Sequence, residues 1–171
     1  MNGNTEVGGI VGYSDQATIT DCHNSGNVTA TGNYGTGGIV GFDAYNPRKV
    51  GSIVIYSPSK GSTISNCSNS GNISGGRAAG IVGTLGVTPS QSQPSSDKTL
   101  TVITDCSNTG AITGTTGKCG SIFGYQITYA KGDGAENINH LYVKITGCTI
   151  GGTVNGETVT VPTSSAYYTA R

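Results

Sequence analysis

The 171-residue chain has little charge: Lys and Arg number nine, Asp and Glu nine, and together they are 11% of the residues, with a formal net charge of zero. No basic stripe is present to neutralise a phosphate backbone, which argues against nucleic-acid binding. No run of 18 apolar residues occurs, and Met1-Asn2-Gly3-Asn4 has neither a basic nor an apolar leader-like stretch, so this segment carries no sign of membrane insertion. Long charged side chains are scarce while Gly (29 residues), Ser, Thr and Asn are plentiful. Glycine costs helix entropy and the small polar residues compete for backbone hydrogen bonds, so the composition disfavours helices and leaves β-structure rich in turns.

What the chain does have is one phrase, written four times. It is clearest at Ser62-Thr63-Ile64-Ser65-Asn66-Cys67-Ser68-Asn69-Ser70-Gly71-Asn72-Ile73-Ser74-Gly75, followed by Ala79-Gly80-Ile81-Val82-Gly83. Other copies run from Thr18 to Thr29 and from Val102 to Thr113, and a degraded one from Lys144 to Asn155. Each holds short β-branched runs separated by tight turns, as in Val7-Gly8-Gly9-Ile10-Val11-Gly12, Ala17-Thr18-Ile19-Thr20 and Asn27-Val28-Thr29. Runs this short bury their apolar side chains only against another copy stacked on them. The expected fold is therefore all-β: a right-handed parallel β-helix of about four coils, spanning residues 7–34, 35–76, 77–117 and 118–155, with a C-terminal cap at 156–171, all in a single domain cut from a longer protein or meeting a partner at its first edge.

Aligned copies predict three buried columns: Ile10, Ile39, Ile81 and Ile122; Ile19, Ile64, Ile103 and Ile145; Val28, Ile73, Ile112 and Val154. Spacing from the cysteine to the next Gly-Ile-Val-Gly isoleucine is nearly constant: 17 residues (22 to 39), 14 (67 to 81) and 16 (106 to 122). From that isoleucine to the next Ile-x-x-Cys isoleucine it varies: 9 (10 to 19), 25 (39 to 64), 22 (81 to 103) and 23 (122 to 145). The growth sits at one corner, predicting insertions at Asp43 to Gly61, Leu85 to Thr101 and Gln126 to Lys144. Two have strand-like runs, Ser52 to Tyr56 and His140 to Val143, expected to extend or cover the neighbouring sheet; the middle one is polar and loop-like. The tail from Val154 to Pro162 reads as a hairpin about Asn155-Gly156, with Pro162 blunting the final strand. No such device is legible at the N-terminal end.

Gly-Gly-Ile-Val-Gly-Tyr, then Thr-Ile-Thr-Asp-Cys, then Asn-Ser-Gly-Asn-Val-Thr resembles the GLUG repeat of bacterial cell-surface proteins, over residues 7 to 155. The ending Gly151-Gly152-Thr153-Val154-Asn155-Gly156 resembles the last repeat of such proteins in gut Bacteroidetes. The resemblance implies a secreted or surface-anchored protein with an adhesive or structural role, and it brings no catalytic residues with it.

Several constellations invite chemistry. Cys22, Cys67, Cys106 and Cys148 share one position, and stacked copies sit roughly 4.8 Å apart. The column reads as a reduced buried ladder, as one or more disulfides between coils, or as a metal site; close Cys-x-x-Cys pairs, the usual zinc pattern, are absent, so no metal is expected. Cys119 stands outside it at the Ala78 position. Asn24, Asn69 and Asn108 form a second ladder, with Ile150 in the last copy, suited to side-chain hydrogen bonds and to the left-handed backbone of a tight turn. Asp21, Asn66 and Asp105 flank that turn, and a column of this kind facing solvent is a weak calcium candidate. Outward Thr20, Ser65, Thr104 and Thr146 make a hydroxyl column, but Val102 and Lys144 spoil the flat two-column array that ice binding would need.

For ligand binding, tyrosines are the best candidates, because a flat apolar ring with a hydroxyl suits sugars and protein interfaces. Tyr45, Tyr56, Tyr129 and Tyr142 fall in the insertions with Arg48 and His140, and Tyr13 and Tyr125 stand where insertions leave. The function expected from these readings is a non-catalytic secreted or cell-surface module that binds a glycan or a host or cell-surface protein through its corner insertions, with no cofactor. The alternatives are a polysaccharide-cleaving β-helix enzyme, for which Lys131, Asp133, Glu136 and His140 are the cluster to consider, and a structural spacer beside other domains of its chain.

Overall fold

A computed structural model describes residues 1–45, 48–50, 53–55, 61–87, 101–128, 142–160, 162 and 168–170. For Tyr45, Arg48–Val50, Ile53–Ile55, Val87, Thr128 and Tyr168–Ala170 the backbone alone is described. Every regular element among these residues is a strand, and no helix is long and apolar enough to cross a membrane.

The strands stack copy on copy in parallel sheets, as in a β-helix. Thr18–Thr20, Thr63–Ser65, Thr101–Thr104 and Val143–Thr146 form one sheet in which Ile19, Ile64, Ile103 and Ile145 are direct partners. After a bend, His23–Asn24, Ser68–Asn69, Ser107–Asn108 and Thr149–Ile150 form the next. Val28–Ala30, Ile73–Gly75, Ile112–Gly114 and Thr153–Val154 make a third. Val7–Gly8, Gly35–Gly37 and Arg77–Ala79 make a fourth. The longest strands, Val11–Asp15, Val40–Tyr45, Val82–Val87 and Phe123–Thr128, make a fifth, continued by Tyr168–Ala170.

The bend behind each Thr-Ile-Thr strand needs a left-handed residue, and Asp21, Asn66, Asp105 and Gly147 supply it, at φ of 54°, 52°, 52° and 66°. Asp, Asn and Gly are the types that enter this region at least cost. The Asn24 column, expected to carry the left-handed turn, lies on strands beyond the bend and has another task. Glycine is dictated by close approach at Gly38, where a Cβ would lie 2.1 Å from the Gly80 carbonyl oxygen and 2.5 Å from the Asn69 side chain.

Inside the stack, Ile39, Ile81 and Ile122, Ile64 and Ile103, and Val28, Ile73 and Ile112 are all buried. Each contributes roughly 1.5–3 kcal/mol over leaving it in water. Ile10 departs from its predicted column: it is 46% exposed, because it ends the stack and has Ile39 on one side only.

Four further expectations are corrected. Asp43, Leu85 and Gln126, placed at the first positions of the insertions, are buried strand residues forming one row, and the strands run on to Tyr45, Val87 and Thr128. Among the described residues the inserted run at Ile53–Ile55 pairs not with a neighbouring sheet but antiparallel with Arg48–Val50, as a two-stranded sheet. The N-terminal end does have a covering device, since Asn2–Gly3 pairs with Thr29–Ala30 and the Met1 ammonium donates to the Asn27 carbonyl at 2.6 Å. The tail hairpin is short: Thr153–Val154 pairs with Glu157–Thr158 about Asn155-Gly156, both at positive φ. Pro162 lies beyond it and takes the next place in the isoleucine column, its carbonyl accepting from the N–H of Ile122 at 2.9 Å and of Phe123 at 3.1 Å.

Candidate functional site

The strongest local chemistry lies where the chain leaves the fifth sheet and later returns to the first. Asp43 sits near the end of Val40–Tyr45, is fully buried, and accepts three hydroxyl hydrogen bonds. Ser14 Oγ donates to Oδ1 at 2.8 Å, Ser62 Oγ to Oδ1 at 2.5 Å and Thr101 Oγ1 to Oδ2 at 2.6 Å. Ser62 also accepts from the Ala17 N–H at 3.1 Å. Ser62 immediately precedes, and Thr101 begins, a strand re-entering the stack, so one carboxylate ties the outgoing strand to two returning segments. Burial is the chief influence on its acidity and raises its pKa; the hydroxyls oppose that rise and Asp15 adds to it. In the same row, Gln126 Oε1 accepts the N–H of Tyr142 at 2.8 Å, again joining an outgoing strand to a returning segment.

Sequence reasoning passed over this cluster. Ser62 and Thr101 hold one position of the phrase, two residues before Ile64 and Ile103, but Asp43 is the one acid in its row, so the repeat does not mark the cluster. The usable signal was the row itself: two residues after Gly41, Gly83 and Gly124 stand Asp43, Leu85 and Gln126.

The Asn column forms a hydrogen-bonded rail. Asn24 Nδ2 donates to Asn69 Oδ1 at 2.7 Å, Asn69 Nδ2 to Asn108 Oδ1 at 2.8 Å, and Asn108 Nδ2 to Ser121 Oγ at 3.2 Å. Each amide also holds the carbonyl two residues on, at Gly26, Gly71 and Gly110. A second asparagine rail, not singled out from the sequence, runs outside: Asn27 Oδ1 accepts from the Asn72 N–H, and Asn72 Oδ1 from the Ala111 N–H.

All five cysteines are free thiols. Cys67 and Cys106 are buried, while Cys22 and Cys148 at the column's ends are half-buried; their thiols reach the carbonyls of Thr20, Ser65, Thr104 and Thr146. A hydrogen bond from Cys106 lowers the Cys148 pKa to about 7 against the opposing effect of burial. The same bond, with burial, raises Cys106. Burial chiefly raises Cys67 and Cys119; Cys119 packs with Val28, Ala78 and Ile112 and receives Asn155 Nδ2 at 3.4 Å. No group of three or more His, Cys, Asp or Glu with metal-holding geometry occurs among the described residues.

The tyrosines divide. Tyr142, expected on a displayed insertion, is 2% exposed and packed in the main core, so it is a packing residue there and presents no surface to a ligand. Tyr125 is buried beneath the Arg77 guanidinium and the Lys118 ammonium, 4.9 and 4.5 Å from its ring centroid. Tyr13 is 49% exposed and stacks on Phe42 with centroids 5.8 Å apart. Tyr45 and Arg48 are placed by backbone only, on consecutive strands. Tyr56, Tyr129 and His140, and with them Lys131, Asp133 and Glu136, lie outside the described residues.

Comparison with curated proteins finds no match, and neither does comparison with solved structures. A family model, the GLUG motif, matches residues 3–29, the stretch that contains the first copy of the phrase. Later copies pair with that copy in parallel and in register, Ile64 against Ile19 and Ile73 against Val28. Over residues 3–29 the chain is thus similar to the GLUG motif, and the stacked later copies repeat that stretch.

Proposed function

We propose that the chain is a non-catalytic, secreted or cell-surface module, a right-handed β-helix of about four coils whose insertions bind a glycan or a protein surface. The observation that carries this reading is the alignment of the insertion roots. Tyr45, Val87 and Thr128 are direct partners across neighbouring strands, so the three insertions leave the stack side by side. Rows of parallel strands lie roughly 4.8 Å apart, and segments that leave a rigid scaffold from neighbouring rows are where binding residues commonly gather. Half-exposed Tyr13, stacked on Phe42 in the same sheet, adds an aromatic face of the kind that stacks on sugar rings. GLUG motifs are typical of extracellular bacterial proteins, which supports the location.

The test compares the intact chain with one in which residues 46–60, 88–100 and 129–141 are each replaced by a short Gly-Ser linker. Both are applied to a panel of immobilised neutral and acidic glycans and to cell-surface protein extracts. Binding by the intact chain, lost in the shortened chain while its β-type circular dichroism persists, is the expected result. Binding that survives the shortening, or none by the intact chain, overturns the reading.

A further inference from the structure

We propose that Cys106 and Cys148 are a redox pair that a low-molecular-weight disulfide converts into a covalent tie between the third and fourth copies of the phrase. The residues on either side of them are register partners, Thr104 with Thr146 and Ser107 with Thr149. In-register neighbours in a parallel stack are separated by roughly 4.8 Å, inside the roughly 4.4–6.8 Å between Cα atoms that a disulfide spans. Both thiols point to the same strand row, Cys106 toward the Thr104 carbonyl at 3.3 Å and Cys148 toward the Ile103 carbonyl at 3.8 Å.

Three features favour this pair over the others in the column. Cys148 is half-buried, so a small oxidant reaches it, whereas Cys67 and Cys106 are enclosed. Its strands, Val143–Thr146 and Thr149–Ile150, are the outer members of their sheets, with a neighbour on one side only. It follows Gly147, at φ 66°, where the other three cysteines follow Asp or Asn. A glycine bend on an edge absorbs the small approach that bonded sulfurs require at little cost. Cys22 is half-buried too, but it sits behind Asp21.

The exchange balances without any further reactant. Cys148, whose pKa the neighbouring Cys106 lowers to about 7, attacks as its thiolate one sulfur of the external disulfide; that S–S bond breaks and a small thiolate departs. Capping Cys148 removes the negative charge that held the Cys106 proton in place. Cys106 then loses its proton to solvent, attacks Cys148 Sγ and releases the second small thiol. Two protein thiols and one external disulfide become one protein disulfide and two external thiols.

The experiment treats the folded chain with glutathione disulfide, blocks remaining thiols with iodoacetamide and maps peptides under non-reducing conditions. Expected are a linked Cys106–Cys148 peptide, a fall of two from the five thiols, and a higher thermal midpoint that returns to its starting value on reduction. The variant Cys148→Ser, at a half-buried site, is expected to lose no internal thiols to the same treatment. A persistent glutathione adduct on Cys148, a link between other cysteines, five unchanged thiols, or equal thiol loss in Cys148→Ser each overturns the proposal. None of these outcomes depends on what the insertions bind.

Discussion

Asp43 is the residue at which an outgoing strand and two returning segments are fastened together. A carboxyl whose pKa is higher in the folded chain than in the unfolded one, here above the usual 3.8, favours the fold in its protonated form. That stability is complete below the unfolded value and is lost as pH rises through the folded one. Asp43→Asn keeps an oxygen for Ser14 and Ser62 and offers N–H to Thr101, so it retains the clasp without the titration. Urea unfolding measured between about pH 4 and 7 is therefore expected to show the wild type losing stability relative to Asp43→Asn as pH rises. The loss is about 1.4 kcal/mol for each unit by which the folded pKa is raised. Parallel curves would show that Asp43 is not the titrating group.

At the scale of the element, the asparagine rail accounts for how strands of two residues persist. His23–Asn24, Ser68–Asn69 and Ser107–Asn108 have too few backbone bonds to hold a register by themselves, and the side-chain amides supply a parallel set. Asn69→Ala breaks bonds to Asn24, Asn108 and the Gly71 carbonyl, and leaves buried partners without replacements. It is expected to cost about 2–4 kcal/mol, against about 1 kcal/mol for Asn24→Ala at the end of the rail; equal costs in urea denaturation would mean the rail does not act as a unit. This element was legible because stacking requires the same residue at the same place in every copy, and repetition reports register directly. The Ile64, Cys67 and Asn69 positions were read for that reason. The roles of Ser62, Thr101 and Tyr142 were not, because the partner that defines each, Asp43 or Gln126, stands far away in the chain and has no counterpart in the other copies. Tyr142 reads as part of a strand-like run on a displayed insertion; the Gln126 amide draws its backbone onto the stack one residue before the strand at Val143.

The whole molecule behaves as a one-dimensional array in which each copy leans on its neighbours. Its interior copies are sealed on both sides, and its ends are treated differently. At one end Asn2–Gly3 covers a single sheet and leaves Ile10 and Tyr13 half-exposed; at the other, the hairpin strand Glu157–Thr158, Pro162 and Tyr168–Ala170 each extend or close a different column. Removing residues 156–171 uncovers the N–H groups of Ile122 and Phe123 and two sheet edges, which are templates for pairing with another chain. Light scattering is expected to show self-association of that truncated chain, and hydrogen exchange to show faster opening of Phe123–Thr128 than of Val82–Val87. A monomeric truncated chain with unchanged exchange would contradict this.

Along the isoleucine column, the N–H of Ile10 donates to the carbonyl of Ile39, Ile39 to Ile81, Ile81 to Ile122, and Ile122 to Pro162. Ile39, Ile81 and Ile122 each both give and receive, like a monomer with two reactive ends. Proline has an acceptor but no backbone hydrogen to give, so it acts as a chain terminator does in polymer synthesis. The run of donated isoleucine N–H groups stops at Pro162, so the direction of donation along the column ends in a single imino acid.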